Sequence, residues 1–232
     1  MMMYDILILA AKKDFENIQC LYDSLVHLQP AYNNVYCVVP ELPPTYVEGI
    51  IYRLEKDVLD VPLPRFRPDW IYQQYIKLLQ VTTIDKYLVI DADIILNRNI
   101  QIFINDVPNF LISNSTINRP FFKWIMEVFG MERTFDKSFI SEMMLFDRSI
   151  INERISNKRE FINRSNLSIT YDCFPSEYEL YGNYVYRDHR EMYNYMPIKI
   201  SPEFLFINFK GSLEEFITSQ KDSVFDILSL SR

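Results

Sequence analysis

The chain has 232 residues, 49% of them hydrophobic and 15% aromatic, enough to bury a core of one-domain size. Its net charge of -7 and pI near 5.0 argue against a nucleic-acid-binding or anionic-membrane surface. Three widely separated cysteines, Cys20, Cys37 and Cys173, support neither a disulfide framework nor a thiolate metal site, so a reducing, cytoplasmic setting is expected.

The first segment, "MMMYDILILA", has no basic leader and carries Asp5 inside its apolar run. It reads as a buried strand rather than a signal peptide. No stretch approaches the roughly 18 apolar residues of a membrane span, so no integral membrane segment is expected. "DFENIQCLYDSLVHL" follows at helical spacing, with Asp14 as its expected cap. "NVYCVVP" is a second strand closed by Pro40. The Pro-studded stretch from Glu41 to Pro68 is expected to be mostly loop with a short strand or helix inside.

"DWIYQQYIKLLQVTTI" returns to helical period, with Ile71, Tyr75, Leu78 and Leu79 inward and Asp69 as cap. "KYLVIDADII" is the next strand. Alternation of this kind predicts an α/β fold with a mostly parallel central sheet flanked by helices, and a short antiparallel portion later. The pattern after residue 96 is mixed, with "SEMMLFDRSIINERI" and "SLEEFITSQ" as its clearest pieces. Only four glycines occur in the chain, and no Gly-x-Gly-x-x-Gly follows a strand, which excludes a dinucleotide fingerprint and a P-loop.

The chemistry concentrates at "YLVIDADIIL", where an apolar strand ends in two carboxylates, Asp91 and Asp93. Ligands of open α/β sheets bind beyond the carboxyl ends of the strands. In extended backbone, residues i and i+2 share a face, and two like charges there are relieved by a hard divalent cation. At the first strand's end, Lys13 and Asp14 are placed to meet a ligand in that crevice. The "RFRPDWIYQQYIKL" stretch offers Arg65, Arg67, Gln73, Gln74 and Lys77, with arginine suited to phosphate and glutamine to hydroxyls and base edges. "CFPSEYELYGNY" sets Glu177 and Glu179 among aromatic rings, with Gly182 read as a tight turn; a partly buried glutamate there suits a general base. Met143 and Met144 read as core.

As a set, these pieces resemble the GT-A family of nucleotide-sugar glycosyltransferases. "DWIYQQYIKL" together with "SEYELYGNYV" is similar to a branch of that family associated with polysaccharide synthesis. The resemblance spans most of residues 1–211, with 212–232 expected as a helical appendage. It implies that Asp91 and Asp93 hold Mn²⁺ or Mg²⁺ against a donor diphosphate, UDP-sugar being the favoured donor, and that Lys77 is the cationic donor contact. It further implies that Ser141 or Glu142 lies under the donor sugar, and that the acceptor is a hydroxyl of a glycan or glycolipid. Relatives supply a third metal ligand from a His-Phe-x-Gly-like segment. Here "INFKGS" puts Asn208 in that place, and His189 competes for the role. Glu177 is the preferred base, with Glu179 and Glu142 as alternates.

Two rivals stand beside this reading. A haloacid-dehalogenase-type phosphatase also ends a strand in Asp-x-Asp, but near its N-terminus and with a later acidic pair that is missing here. A non-catalytic carbohydrate-binding protein of the same fold is the other.

Overall fold

The computed structural model describes residues 3–79, 81–113, 118–201, 212–223 and 225–230. Asn208 lies outside them. In chain order the elements are β1 (Asp5–Leu9), a 3-10 turn (Lys12–Asn17), α1 (Ile18–Ser24), β2 (Leu28–Gln29), β3 (Val35–Val39), β4 (Ile50–Leu54) and α2 (Glu55–Val58). Next come α3 (Pro68–Leu79), β5 (Lys86–Asp91), β6 (Ile94–Leu96), β7 (Ile100–Gln101), β8 (Phe103–Ile104) and β9 (Val107–Ile112). The rest is α4 (Arg119–Phe129), β10 (Met143–Asp147), α5 (Arg148–Arg154), α6 (Lys158–Ser168), α7 (Glu177–Asp188), β11 (Asn194–Pro197), α8 (Leu213–Gln220) and β12 (Ile227–Ser229).

The central sheet runs β10-β5-β1-β3-β4. Its β1·β3, β1·β5 and β3·β4 pairs are parallel, and β10 adds one antiparallel edge against β5. This is the mostly parallel α/β arrangement, with a short antiparallel portion, that the alternation of elements predicts. Both faces of the sheet are covered, so β1 reads as unbroken apolar sequence after Asp5. Its side chains alternate: Leu7 and Leu9 join the core under α3, α4 and α7, while Ile6 and Ile8 join the core with α1, β6 and β12. The inner face of α3 is buried as its spacing predicts, with Ile71, Tyr75, Leu78 and Leu79 all in the first core.

Asp5 is fully buried and acts as a clamp for the N-terminal edge of the sheet. Its carboxylate accepts from Asn33 Nδ2 (3.0 Å), the Asn34 amide (3.2 Å), the Thr83 amide and hydroxyl (both 3.0 Å) and the Ile84 amide (3.4 Å). Those bonds satisfy a charge that would otherwise be costly to bury.

Local details depart from the sequence expectations. The helix after β1 opens with the 3-10 turn, and Asp14 is inside it; its carboxylate reaches back to the Ala11 amide (3.0 Å) rather than capping from outside. α3 begins at Pro68, a residue pre-set for a first turn, which places Asp69 within the helix. Gly182 makes no turn: it is a buried residue inside α7, where a Cβ would fall 2.2 Å from the Phe139 ring. At the other end of the described chain, helix covers Leu213–Gln220 alone. Residues 227–229 form a strand instead, paired antiparallel with β6, with the apolar Ile227 and Leu228 filling the core beside it.

Candidate functional site

The strand order fixes where a ligand crevice must be. β1 leads toward β3 on one side of the sheet and β5 toward β10 on the other, while β1 and β5 are neighbours with Leu9 opposite Asp91. Loops leaving two adjacent strands in opposite directions open a cleft at their carboxyl ends. Asp14 follows one of these ends, and Asp91 and Asp93 follow the other.

β5 stops at Asp91, and Ala92 and Asp93 form a turn before β6. The extended geometry expected through Asp93 therefore ends two residues early, at Asp91. Glu142 faces this turn from the far side: β10 starts at Met143 opposite Ile90, and the Asp91 amide donates to the Glu142 carbonyl (2.9 Å). To make that junction Glu142 takes φ +62°, a left-handed conformation unusual for a glutamate.

Beneath lies Lys77, almost fully buried. Its ammonium donates to Asp91 Oδ1 (2.6 Å) and pairs with Glu177 Oε1 (2.7 Å), and it lies 4.7 Å from the Tyr178 ring centre. The Tyr178 hydroxyl donates to the same Asp91 oxygen at 3.1 Å. Gln74 accepts from the Glu177 amide (3.4 Å), tying α3 to the start of α7. Lys77 is thus a buried counter-ion of two carboxylates, not the open cationic donor contact implied by the resemblance. Glu177 is 2% exposed and engaged by that ammonium.

The electrostatics follow from burial and crowding. Burial, then Asp91, then Asp93 push the Glu142 carboxyl up to about 9, with Lys77 opposing. Burial raises Glu177 against the pull of Lys77. Burial also raises Asp14, with the charges of Asp93 and Asp91 adding to it. The charges of Asp91 and Asp93 thus act on both Asp14 and Glu142, and that of Asp91 on Glu177, with the buried Lys77 paired to Asp91 and Glu177 and with Lys13 at the rim, 3.9 Å from Asp14. At Asp14 opens a cavity of about 880 Å³, lined by residues including Lys12, Lys13, Asp14, Pro43, Thr45 and Leu230.

Other sequence candidates take different places. Ser141 is fully buried and its hydroxyl donates to the Met143 carbonyl (2.6 Å), so it presents nothing to a ligand. Glu179 is fully buried as well; it accepts from the Ser138 hydroxyl (2.6 Å) and Asn183 Nδ2 (3.2 Å), which makes it a brace between α7 and the loop before β10. Arg67 is exposed, at φ +46°, with its guanidinium 4.5 Å from the Trp70 ring centre. His189 caps the far end of α7, about 18 Å along the helix from Glu177 at 1.5 Å per residue, and contacts Glu153 (2.9 Å). That separation removes His189 from the ligand set.

The donor chemistry of the cluster suits a hard divalent cation. Carboxylates in negative excess are its usual partners, and such ions take their remaining ligands from water and substrate phosphate. Among the described residues no three His, Cys, Asp or Glu side chains gather into a ligand cluster. Two residues of the site carried no readable sequence signal. Tyr178 is one aromatic among many, and Leu230 is distant from the motif.

No protein-family model and no curated protein matches the chain. The solved structures it is similar to include the galactosyltransferase LgtC in complex with donor and acceptor sugar analogues, at 9% identity over 97% of this chain and 86% of that one, TM-score 0.47. The bifunctional glycosyltransferase WbbM, in its apo form, shares 11% identity over 99% of this chain and 46% of its own, TM-score 0.49. The glycosyltransferase GlyE of Streptococcus pneumoniae shares 13% identity over 99% of this chain and 54% of its own, TM-score 0.47. These neighbours are glycosyltransferases.

Proposed function

We propose that this protein is a GT-A-type glycosyltransferase. It moves a sugar from a nucleoside-diphosphate sugar, UDP-sugar favoured, to a hydroxyl of a glycan or glycolipid. The observation that carries the reading is the surplus of carboxylates around Asp91 and Asp93 at the sheet's switch point, beside a cavity large enough for a nucleotide. An acidic cluster repels a diphosphate unless a cation lies between them. Asp91 and Asp93 would hold Mn²⁺ or Mg²⁺, which supplies Lewis-acid stabilisation of the leaving diphosphate.

The chain's own residues divide the remaining work. Lys77 and Tyr178 fix the orientation of Asp91, and Gln74 holds the start of α7 against α3. Lys13 and Asp14, at the cavity wall, meet the nucleoside. Glu142 replaces Glu177 as the preferred general base, since Glu177 is sealed under Lys77 while Glu142 keeps exposed surface. A carboxyl near 9 is mostly neutral at pH 7, and positive charge brought to the cluster favours the ionised form that accepts the acceptor's proton.

The test is turnover of a panel of nucleotide sugars with Mn²⁺ and with excess chelator. Sugar release from a UDP-sugar, lost on chelation, is expected. Phosphomonoester hydrolysis in its place would return the phosphatase reading, and Mn²⁺-dependent binding without turnover would leave a carbohydrate-binding protein.

A further inference from the structure

The turn that carries Asp93 is held from an unexpected direction. β12 pairs antiparallel with β6, in the register Ile227 to Leu96, Leu228 to Ile95 and Ser229 to Ile94. The ladder runs one residue further: the Leu230 amide donates to the Asp93 carbonyl at 2.7 Å. At its other end Asn97 fastens the segment down. The Asn97 amide donates to the Asp226 carbonyl (2.9 Å), and Nδ2 donates to the carbonyls of Gln220 (3.2 Å) and Phe225 (3.0 Å) and to the Ser223 hydroxyl (3.3 Å). Ile227 and Leu228 are fully buried and Leu230 is nearly so, which keeps the segment seated. Leu230 also forms part of the cavity wall, near Asp14.

β6 belongs to no part of the five-stranded sheet, so β12 is the strand that fixes its path. We infer that Leu230 is a positioning residue of the donor site. Its amide sets the Asp93 turn, and so the spacing of the two motif carboxylates, while its side chain walls the nucleoside end of the cavity. The inference rests on the reading of Asp91 and Asp93 as the cation site. It adds that a segment remote in sequence completes that site.

Two substitutions separate the two roles. Leu230→Ala keeps the amide and trims the wall; Leu230→Pro removes the amide donor. Mn²⁺ affinity is read directly by titration against the signal of free Mn²⁺, and UDP affinity by calorimetry at saturating Mn²⁺. Leu230→Pro is expected to raise the Mn²⁺ half-saturation about tenfold or more, because the turn that aims the Asp93 carboxylate loses the backbone bond that holds it. Leu230→Ala should leave it within about twofold while weakening UDP several-fold. If Leu230→Pro does not fold, as read by its thermal transition, Asn97→Ala takes its place with the same expectation, since it frees the segment and leaves Leu230 intact. A folded Leu230→Pro, or Asn97→Ala in its stead, with wild-type Mn²⁺ affinity overturns the inference. Asp93→Ala keeps the two failures apart. Binding that Asp93→Ala abolishes and Leu230→Pro retains sinks the positioning role alone, whereas wild-type protein without Mn²⁺-dependent UDP binding sinks the donor site with it.

Discussion

Lys77 holds together three elements through one ammonium: its own helix α3, the end of β5 at Asp91 and the start of α7 at Glu177. Removing one member of a buried ion network leaves its partners desolvated and uncompensated. Lys77→Met should therefore cost about 3–5 kcal/mol of unfolding free energy, measured by urea denaturation, and adding Glu177→Gln should recover part of it. Glu142 sets a pH dependence of opposite sense to that of ordinary surface carboxylates. Its folded-state value of about 9 lies above the reference 4.5, so the folded chain holds the extra proton between those limits. Stability then falls as pH rises through that window. In chelator, Glu142→Gln should flatten the fall and raise the melting temperature at pH 8, by roughly 2–4 °C for each ~1 kcal/mol relieved. A wild-type melting temperature that climbs from pH 5 to 8, unchanged by Glu142→Gln, would contradict this assignment. In turnover the same substitution should lower transfer by about two to four orders of magnitude while leaving UDP affinity within a few-fold.

Among the elements, α7 shows how much the sequence revealed and where it stopped. Its string "SEYELYGNY" marks an important place, and the helix does deliver Glu177 and Tyr178 to Asp91. Spacing alone did not say which glutamate is spent on structure: Asn183 meets Glu179 one turn along the same helix, but Ser138 reaches it only through the docking of the loop before β10. Gly182 was legible as special but not as a contact: the Phe139 ring, from that same loop, fills the space a side chain would need. Gly182→Ala gains helix propensity yet drives a methyl to 2.2–2.6 Å from ring carbons, a clash expected to outweigh the gain and to cost about 1–3 kcal/mol. Phe139→Leu in the same chain should recover part of the loss, and urea transitions of the two single variants and the double provide the check. The buried strands β1, β3 and β5 were readable as short unbroken apolar runs bounded by turn residues, and the inner face of α3 by its helical period. β12 was not, since "VFDILSL" fits a helix equally well and its partner β6 is only three residues long.

At the scale of the molecule, the sheet order brings into one cleft residues that the sequence scatters from Asp14 to Leu230. The strand that ends in Asp-x-Asp announced the cleft; the counter-ion chemistry inside it depended on tertiary packing and was invisible. With a net charge of -7 and the charges of Asp91 and Asp93 felt by both Asp14 and Glu142, binding of an anionic diphosphate in the cleft should depend on a cation. Calorimetry of UDP binding, with Mn²⁺ and with excess chelator, on the wild type and on Asp93→Ala tests it most directly. Binding with Mn²⁺ should disappear on chelation and fall at least tenfold in Asp93→Ala. Equal affinity with and without the cation, or an Asp93→Ala variant that binds as the wild type does, would contradict it.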